Sequence, residues 1–541
     1  AGDGVPGVQP AEQPARHLLA ARQDGGRGRP GGTAGPPGSR RPPGAPAAGG
    51  CPVSGGAHRL TPGEDQARLY DALRREHGAV APVLLPGDIR AWLVLDYHTN
   101  LTVMRTPSVY SSDSRHWSVT LPPDSPLVPI TTWQPLVAFV DGQEHGRLRG
   151  AITGALDRYK GAGRGVRRYV HRYMSTLVDG FQTQGRCDLV PDLAEKLSIL
   201  VLARLFGLAE REALPLGAAI RDMVQGSATA VRSNEYVTGV MANLVREKRA
   251  TPGEDIASWL LQDEAALDDV EVMEHLRHAL VSSHEKTTNF IANTLKAILT
   301  ERAFHATLTS GQMTLPDALE EVLWNDPPLT TVPTRWATND TVLAGRHISR
   351  GDMVMLGLAA GNSDPAIRAT ETPVRNNRAH LSFGHGPHEC PGQHLGRAIA
   401  EAAVDALLTM LPDVQLDAGA ELPVTASLVS NRLNSLPVTF SPRGRTAAAG
   451  APAGQPDPPA PAGAEGAGVR AGAYASQGLP AGAPGAPGAP VAFGAAGGGG
   501  TAVAAGPGLP PELPPAQPDP VPSAQPAATG HRRARKSWWP L

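Results

Sequence analysis

The chain has 541 residues, a net charge of −2 and three cysteines, Cys51, Cys187 and Cys390. That charge balance excludes a global attraction to nucleic acid or acidic substrates, and cysteines so widely spaced make neither a disulfide framework nor a CxxC metal site, which fits a reducing cytoplasm. No apolar run reaches the length of a membrane span, and no secretory h-region opens the chain, so the expectation is a cytoplasmic protein with no membrane span.

Gly and Pro, 61 and 53 in number, concentrate at the two ends. Residues 1–50 and 444–541 hold too little apolar surface to offset the entropy of ordering, and both read as disordered. The last segment ends in HRRARKSWWPL, a basic stretch with two tryptophans that suits the periphery of an anionic membrane. Between the tails lies a core of about 390 residues, 51–443, a size compatible with one large helical domain. DQARLYDALRREHG, from Asp65, has helical spacing and a glycine stop. AVAPVLLPG and AWLVLD read as a hairpin. Helical periodicity then dominates over 147–156, 166–178, 189–206 and 271–299, the last apolar on more than one face and hence a buried central helix. Helix returns at 316–324, short β signals fill 338–358, and a helix follows from His394 to Leu411. The fold class is mainly α with a small β portion.

FGHGPHECPG, Phe383 to Gly392, carries the chemistry. A thiol protease needs His and Asn or Asp brought to the sulfur, and a zinc site needs further thiolates or imidazoles. A lone thiolate suffices for haem iron if small residues let the macrocycle lie close. Gly384, Gly386 and Gly392 supply that closeness, and Pro391 opens a helix whose N-terminus favours a negative sulfur. Taken alone, Cys390 reads better as a buried structural thiol in an irregular loop; the whole pattern reverses that preference.

The spacing Phe383, Gly386, His388, Cys390, Gly392 resembles the haem loop of the cytochrome P450 family. The resemblance extends in order through LRREHGAVAPV, DGQEHGRLRGAITGAL, SSHEKTTNFIANTL, LEEVLWNDPP, RWATNDTVLAG and NRAHLSFGHGPHECPGQHLGRAIA. It implies the P450 fold, a haem b cofactor with Cys390 as the iron ligand, and Phe383, Gly384, Gly386, His388 and Gly392 forming the loop around it. His145, Arg149, Arg335 and His380 are the implied partners of the haem propionates.

On the central helix the resemblance gives Glu285 the place of the family's acid and Lys286 that of its usual threonine, with Thr287 adjacent but about 100° away around the helix. A local bulge is the one way to bring Thr287 into that place. Glu321 takes the place of the family's buried glutamate, Trp324 that of the arginine three residues on, and Arg375 is the expected remaining partner of Glu321. Trp at this position is similar to an actinobacterial P450 group found in operons with a Ras-like GTPase, which implies a GTPase partner. The activity implied is a monooxygenase: one oxygen atom from O2 enters an apolar organic substrate. The chain has no flavin, nicotinamide or iron–sulfur motif of its own, so a separate ferredoxin and its reductase supply electrons, docking near Arg147 and Arg397. The alternative is a haem-binding regulatory protein with weak or no oxygenase activity.

Overall fold

The computed structural model describes residues 56–444, apart from 123–124, 126, 161–162, 228, 369–376 and the side chains of 163–164. The two segments expected to be disordered lie outside the described residues, as does Arg375.

The helix expected from Asp65 runs Gln66–His77. The Asp65 carboxylate accepts the Arg68 N–H, and Gly78, at φ 76°, ends the helix in a conformation that costs other residues more. The expected hairpin follows, Val80–Leu85 antiparallel to Ile89–Val94. It sits inside a five-stranded sheet ordered His58–Arg59, Val80–Leu85, Ile89–Val94, Val354–Gly357, Thr331–Val332. Alternate residues face opposite sides of a strand. Ala81, Val83, Leu85, Ala91, Leu93 and Met355 join one core cluster, while Val80, Trp92, Val94, Val354 and Leu356 join another. Both faces are therefore covered, which is why these strands read as nearly continuous apolar runs.

The larger part is helical. Helices Gly142–Asp157, Gly163–Phe181, Glu195–Phe206, Leu315–Asn325 and Gln393–Met410 match the periodic stretches, with boundaries moved by a few residues. The expected helix over 189–206 begins instead with a π turn, Val190–Ala194, where Pro191 withholds an N–H from the ladder. Helices Glu210–Gln225 and Ala230–Ala250 complete the layer. At the centre lies Asp269–Thr300, 32 residues, opened by a reciprocal capping box between Asp268 and Glu271. Its buried positions include Val272, Leu276, Leu280, Phe290, Ile291 and Leu295, all within the main apolar cluster. Half-exposed positions among them, Ala279, Ser282, Ser283 and Lys286, form one stripe. Among the described residues no helix is long and apolar enough to cross a membrane.

Candidate functional site

The Cys390 loop is held by its own backbone. Gly384 N–H donates to Leu381 O at 2.7 Å, Glu389 N–H to Gly386 O at 3.0 Å, and Cys390 N–H to Phe383 O at 2.8 Å. Gly384 and Gly386 adopt φ 69° and 73°, the left-handed region that suits glycine. A Cβ on Gly386 would stand 2.6 Å from the Met104 carbonyl oxygen. Gly386→Ala is therefore expected to lower the unfolding free energy by about 1–3 kcal/mol. An unchanged denaturant midpoint would show that the loop relaxes around the methyl group.

Helix Gln393–Met410 starts just beyond the cysteine, so Pro391 precedes the helix rather than opening it. The Gly392 N–H hydrogen-bonds the Cys390 sulfur. Burial pushes the thiol up, while that hydrogen bond and the charges of Arg149 and Arg397 oppose the push. A bound metal cation would complete the stabilisation of the thiolate. At Cys187 burial and nearby aspartates outweigh the charge of Lys196 and push the thiol to about 12, so it stays an inert thiol.

Beside this loop His388 pairs with Asp141 and stands against His145, Arg335 lies within electrostatic reach of Asp141, and Arg149 within that of the Cys390 sulfur. His388 Nε2 lies 2.8 Å from Asp141 Oδ1 and 3.1 Å from Ser112 Oγ. Asp141 Oδ2 accepts Ser111 Oγ at 2.6 Å and the Ser112 N–H at 2.9 Å. The His145 and His388 rings are 4.2 Å apart. Burial, reinforced by the charges of His388 and Arg149, lowers His145 to about 4. Burial likewise lowers Arg335 to about 10. Of the four, His388 pairs directly with the Asp141 carboxylate, and the buried His145 Nε2 has no hydrogen-bond partner. An unmet buried nitrogen beside surplus positive charge calls for further anionic groups. A soft sulfur ligand, glycines around it and anion-seeking side chains beside it fit haem with its two carboxylates. Asp141 also lines a cavity of about 460 Å³. Its carboxylates, Asp113, Asp141, Glu144 and Glu271, already hold Arg115, His388 and Arg147 as partners, and Trp133, Pro135, Val140 and Leu148 line the rest.

His380, expected in that cluster, is placed elsewhere. Its Nε2 lies 3.0 Å from Glu320 Oε2. Arg397 Nε and Nη2 reach the same carboxylate at 2.6 and 3.0 Å, and Arg378 stands at 3.5 Å. Burial would raise Glu320, but the hydrogen bonds and charges of His380 and Arg397 bring it down to about 2. The buried carboxylate of this helix is thus Glu320; the neighbouring Glu321 is half-buried. Because Arg375 lies outside the described residues, the expected Glu321–Arg375 pair is not described. Arg397 is committed to Glu320 and stacks 4.5 Å over Phe383. Arg147 is held by Glu144 and Glu271. Both arginines near which a redox partner is expected to dock are thus paired within the chain.

Trp324 is buried where the resemblance expects arginine. It stacks on Tyr97 at 6.4 Å, meets His380 edge-on at 5.9 Å, and donates Nε1–H to Asn377 O at 2.8 Å. It fills volume, as expected, and also makes one polar contact to the backbone before the cysteine loop. Trp324→Phe should cost about 1–3 kcal/mol by leaving that carbonyl unmet. Equal unfolding midpoints for the two proteins would count against this contact.

On the central helix, Glu285 is 1% exposed. It accepts from Ser430 Oγ at 2.8 Å and Asn289 Nδ2 at 3.1 Å, and pairs with Arg432. Lys286 belongs to the half-exposed stripe. Burial holds its ammonium below the usual range, against the pull of Glu285. Thr287 is buried, and the helix is α throughout 269–300. No bulge brings Thr287 to the position of Lys286. Asp141, Ser112, Glu195, Glu320 and Arg432 escaped sequence reading. Asp141 alone left a local signal, the N-cap position of the helix carrying His145 and Arg149.

A scan against models of known protein families matches none. The chain is 29% identical over 409 residues to 2-hydroxy-5-methyl-1-naphthoate 7-hydroxylase of Streptomyces carzinostaticus, covering 72% of this chain and 98% of that one. It is 30% identical over 390 residues to the cytochrome P450 monooxygenase PikC of Streptomyces venezuelae, covering 70% and 91%. The structure matches that of CYP154A1 from Streptomyces coelicolor A3(2) with TM-score 0.63 and 29% identity over 71% of this chain and all of that one. The Cys390 loop, the mainly helical fold around it and these similarities lead to one conclusion: the chain belongs to the cytochrome P450 family and is a haem-thiolate monooxygenase.

Proposed function

We propose that this cytochrome P450 inserts one oxygen atom into an apolar organic substrate lying against the Ala279–Lys286 stripe, with electrons from a separate ferredoxin and reductase, in the cytoplasm. The single observation that carries this reading is Cys390, its sulfur hydrogen-bonded by Gly392 N–H beside the anion-seeking His145, Arg149, Arg335 and His388. Cys390 would ligate the iron, and those four side chains would hold the carboxylates. Bound haem supplies oxygen activation at an iron whose thiolate ligand favours O–O cleavage.

The chain's own residues do the rest. Of the stripe only Ala279 is apolar, so Ser282, Ser283 and Lys286 would meet polar groups of the substrate, while its apolar body gains wherever it leaves water. Glu285 serves the proton traffic as a carboxylate fixed by Ser430, Asn289 and Arg432. Lys286 brings a cation where a neutral hydroxyl is usual, so water carries the hydrogen-bond acceptor role there. The Streptomyces carzinostaticus relative is named a hydroxylase of a naphthoate, which supports an aromatic or similarly apolar substrate class.

The test combines two measurements on purified protein. The reduced carbon monoxide complex should show the strongly red-shifted Soret band of thiolate ligation. With surrogate ferredoxin and reductase, a panel of apolar compounds should give product-coupled NADPH consumption. A neutral-ligand band, or NADPH consumption with no product across the panel, overturns the proposal. Lys286 favours a second reading, a haem-binding regulatory protein. Tight binding to a nucleotide-loaded Ras-like GTPase without turnover is the result that selects it.

A further inference from the structure

A ladder of buried charge runs from the middle of the central helix to the protein surface. Glu285 Oε2 pairs with one terminal nitrogen of Arg432, and the other terminal nitrogen pairs with Glu195 Oε1. Glu195 Oε2 then takes Arg221 at 2.6 Å, whose side chain is 39% exposed. The signs alternate along the four residues. Arg432 is 2% exposed, and its Nε has no partner. A guanidinium this deep, with one N–H unmet, is retained by its two carboxylates and would be costly without them. On the other oxygen of Glu285, Ser430 Oγ and Asn289 Nδ2 donate, and Asn289 also donates to Ser430 at 3.0 Å. Both oxygens of Glu285 are therefore occupied by donors, two of them from the 430–432 segment.

We propose that Arg432 is a positioning residue that holds the Glu285 carboxylate in one orientation and in its ionised resting form, so that Glu285 takes up each proton before handing it on towards the oxygen site. This rests on the reading that Glu285 serves proton traffic. A guanidinium stays protonated in proteins, so Arg432 orients and charges the site but relays no proton itself. Protons consumed on the stripe side therefore do not arrive through Arg432.

The charged and titratable groups facing Glu285 are Arg432 and Glu195 from neighbouring segments, and His284 and Lys286 from its own helix. Burial holds His284 at about 4, so it is neutral at physiological pH. Without Arg432 the carboxylate loses the guanidinium that answers its charge. It keeps the two neutral donors and Lys286, in a site 1% exposed. Protonation then becomes the cheaper state.

The experiment uses haem-loaded full chain and infrared difference spectroscopy, in a Glu195→Gln background so that the neighbouring carboxylate cannot report. Adding Arg432→Met should produce the carbonyl stretch of a neutral carboxylic acid at neutral pH. Adding Glu285→Gln should remove it, and Arg432→Lys in place of Met should suppress it. This readout needs no substrate and no turnover, so it stands or falls separately from the monooxygenase assignment. The Lys variant keeps the test open if the Met variant does not fold. If the Met variant binds haem yet shows no band lost with Glu285→Gln, the proposal is overturned. The same holds if Lys and Met behave alike.

Discussion

Serine in place of Cys390 should abolish monooxygenation while leaving the fold intact. The change swaps one sulfur for oxygen in a loop held by backbone hydrogen bonds, from Cys390 N–H to Phe383 O and from Gly384 N–H to Leu381 O, none of which uses the sulfur. A hydroxyl is far less acidic than a thiol, so the Gly392 N–H and the charges of Arg149 and Arg397 no longer produce an anionic ligand. The expected product rate is at background. The reduced carbon monoxide spectrum should lose its strongly red-shifted band, and the far-ultraviolet circular dichroism should be unchanged. Product formation by the serine protein at a rate comparable to wild type would remove Cys390 from the central role. Loss of helical signal would instead mean that the sulfur packs the core.

The second large effect is expected at Glu320. Its carboxylate answers Arg397 and His380, both enclosed by helices Leu315–Asn325 and Gln393–Met410 and the loop before Cys390. Glu320→Gln keeps the shape and removes the charge, leaving Arg397 at 14% side-chain exposure without its main counter-ion. Breaking one side of a buried ion pair costs about 3–5 kcal/mol. The pH dependence gives an independent measure. Glu320 falls from an ordinary 4.5 to about 2 in the folded protein. A depressed carboxylate stabilises the fold fully above its unfolded value, and the stabilisation is lost as pH falls from about 4.5 towards 2. At about 1.4 kcal/mol per unit this amounts to about 3 kcal/mol, in line with the mutational figure. Urea unfolding of both proteins across pH should therefore show a wide gap at neutral pH that narrows below about 4.5. A gap that stays constant with pH would mean that Glu320→Gln acts through packing rather than charge.

Both experiments bear on how far the amino-acid sequence could be read. Cys390 and its glycines were legible because the requirements are local: positive φ at residues 384 and 386 and a free N–H two residues past the sulfur concern one decapeptide. His145 and Arg149 were legible for the same reason, being one helical turn apart. The hairpin and several of the helices were legible from apolar periodicity, because burial of a strand or helix face repeats with the geometry of the element itself; helices Glu210–Gln225 and Ala230–Ala250 and the outer strands His58–Arg59 and Thr331–Val332 were not read. The π turn before Glu195 was not, since it depends on how Pro191 is accommodated at a helix entry already packed in the core.

What the sequence by itself determined is the fold class, the first hairpin, several of the helices in their order and the one loop able to present a thiolate. Each follows from backbone geometry and the spacing of apolar residues over short stretches. Tertiary structure alone decided which charges meet. Glu320 and Glu321 are indistinguishable as letters, yet about 100° of helical rotation puts one against Arg397 and His380 and leaves the other half-buried. His380 and His388 lie in the same loop, and one serves Glu320 while the other faces Asp141. Arg432 meets Glu195 across 237 residues of chain. An ion pair has no period and no preferred separation in sequence. Its partners are selected by the low-dielectric space that packing creates, where an unanswered charge is expensive, and that space exists only once the chain is folded.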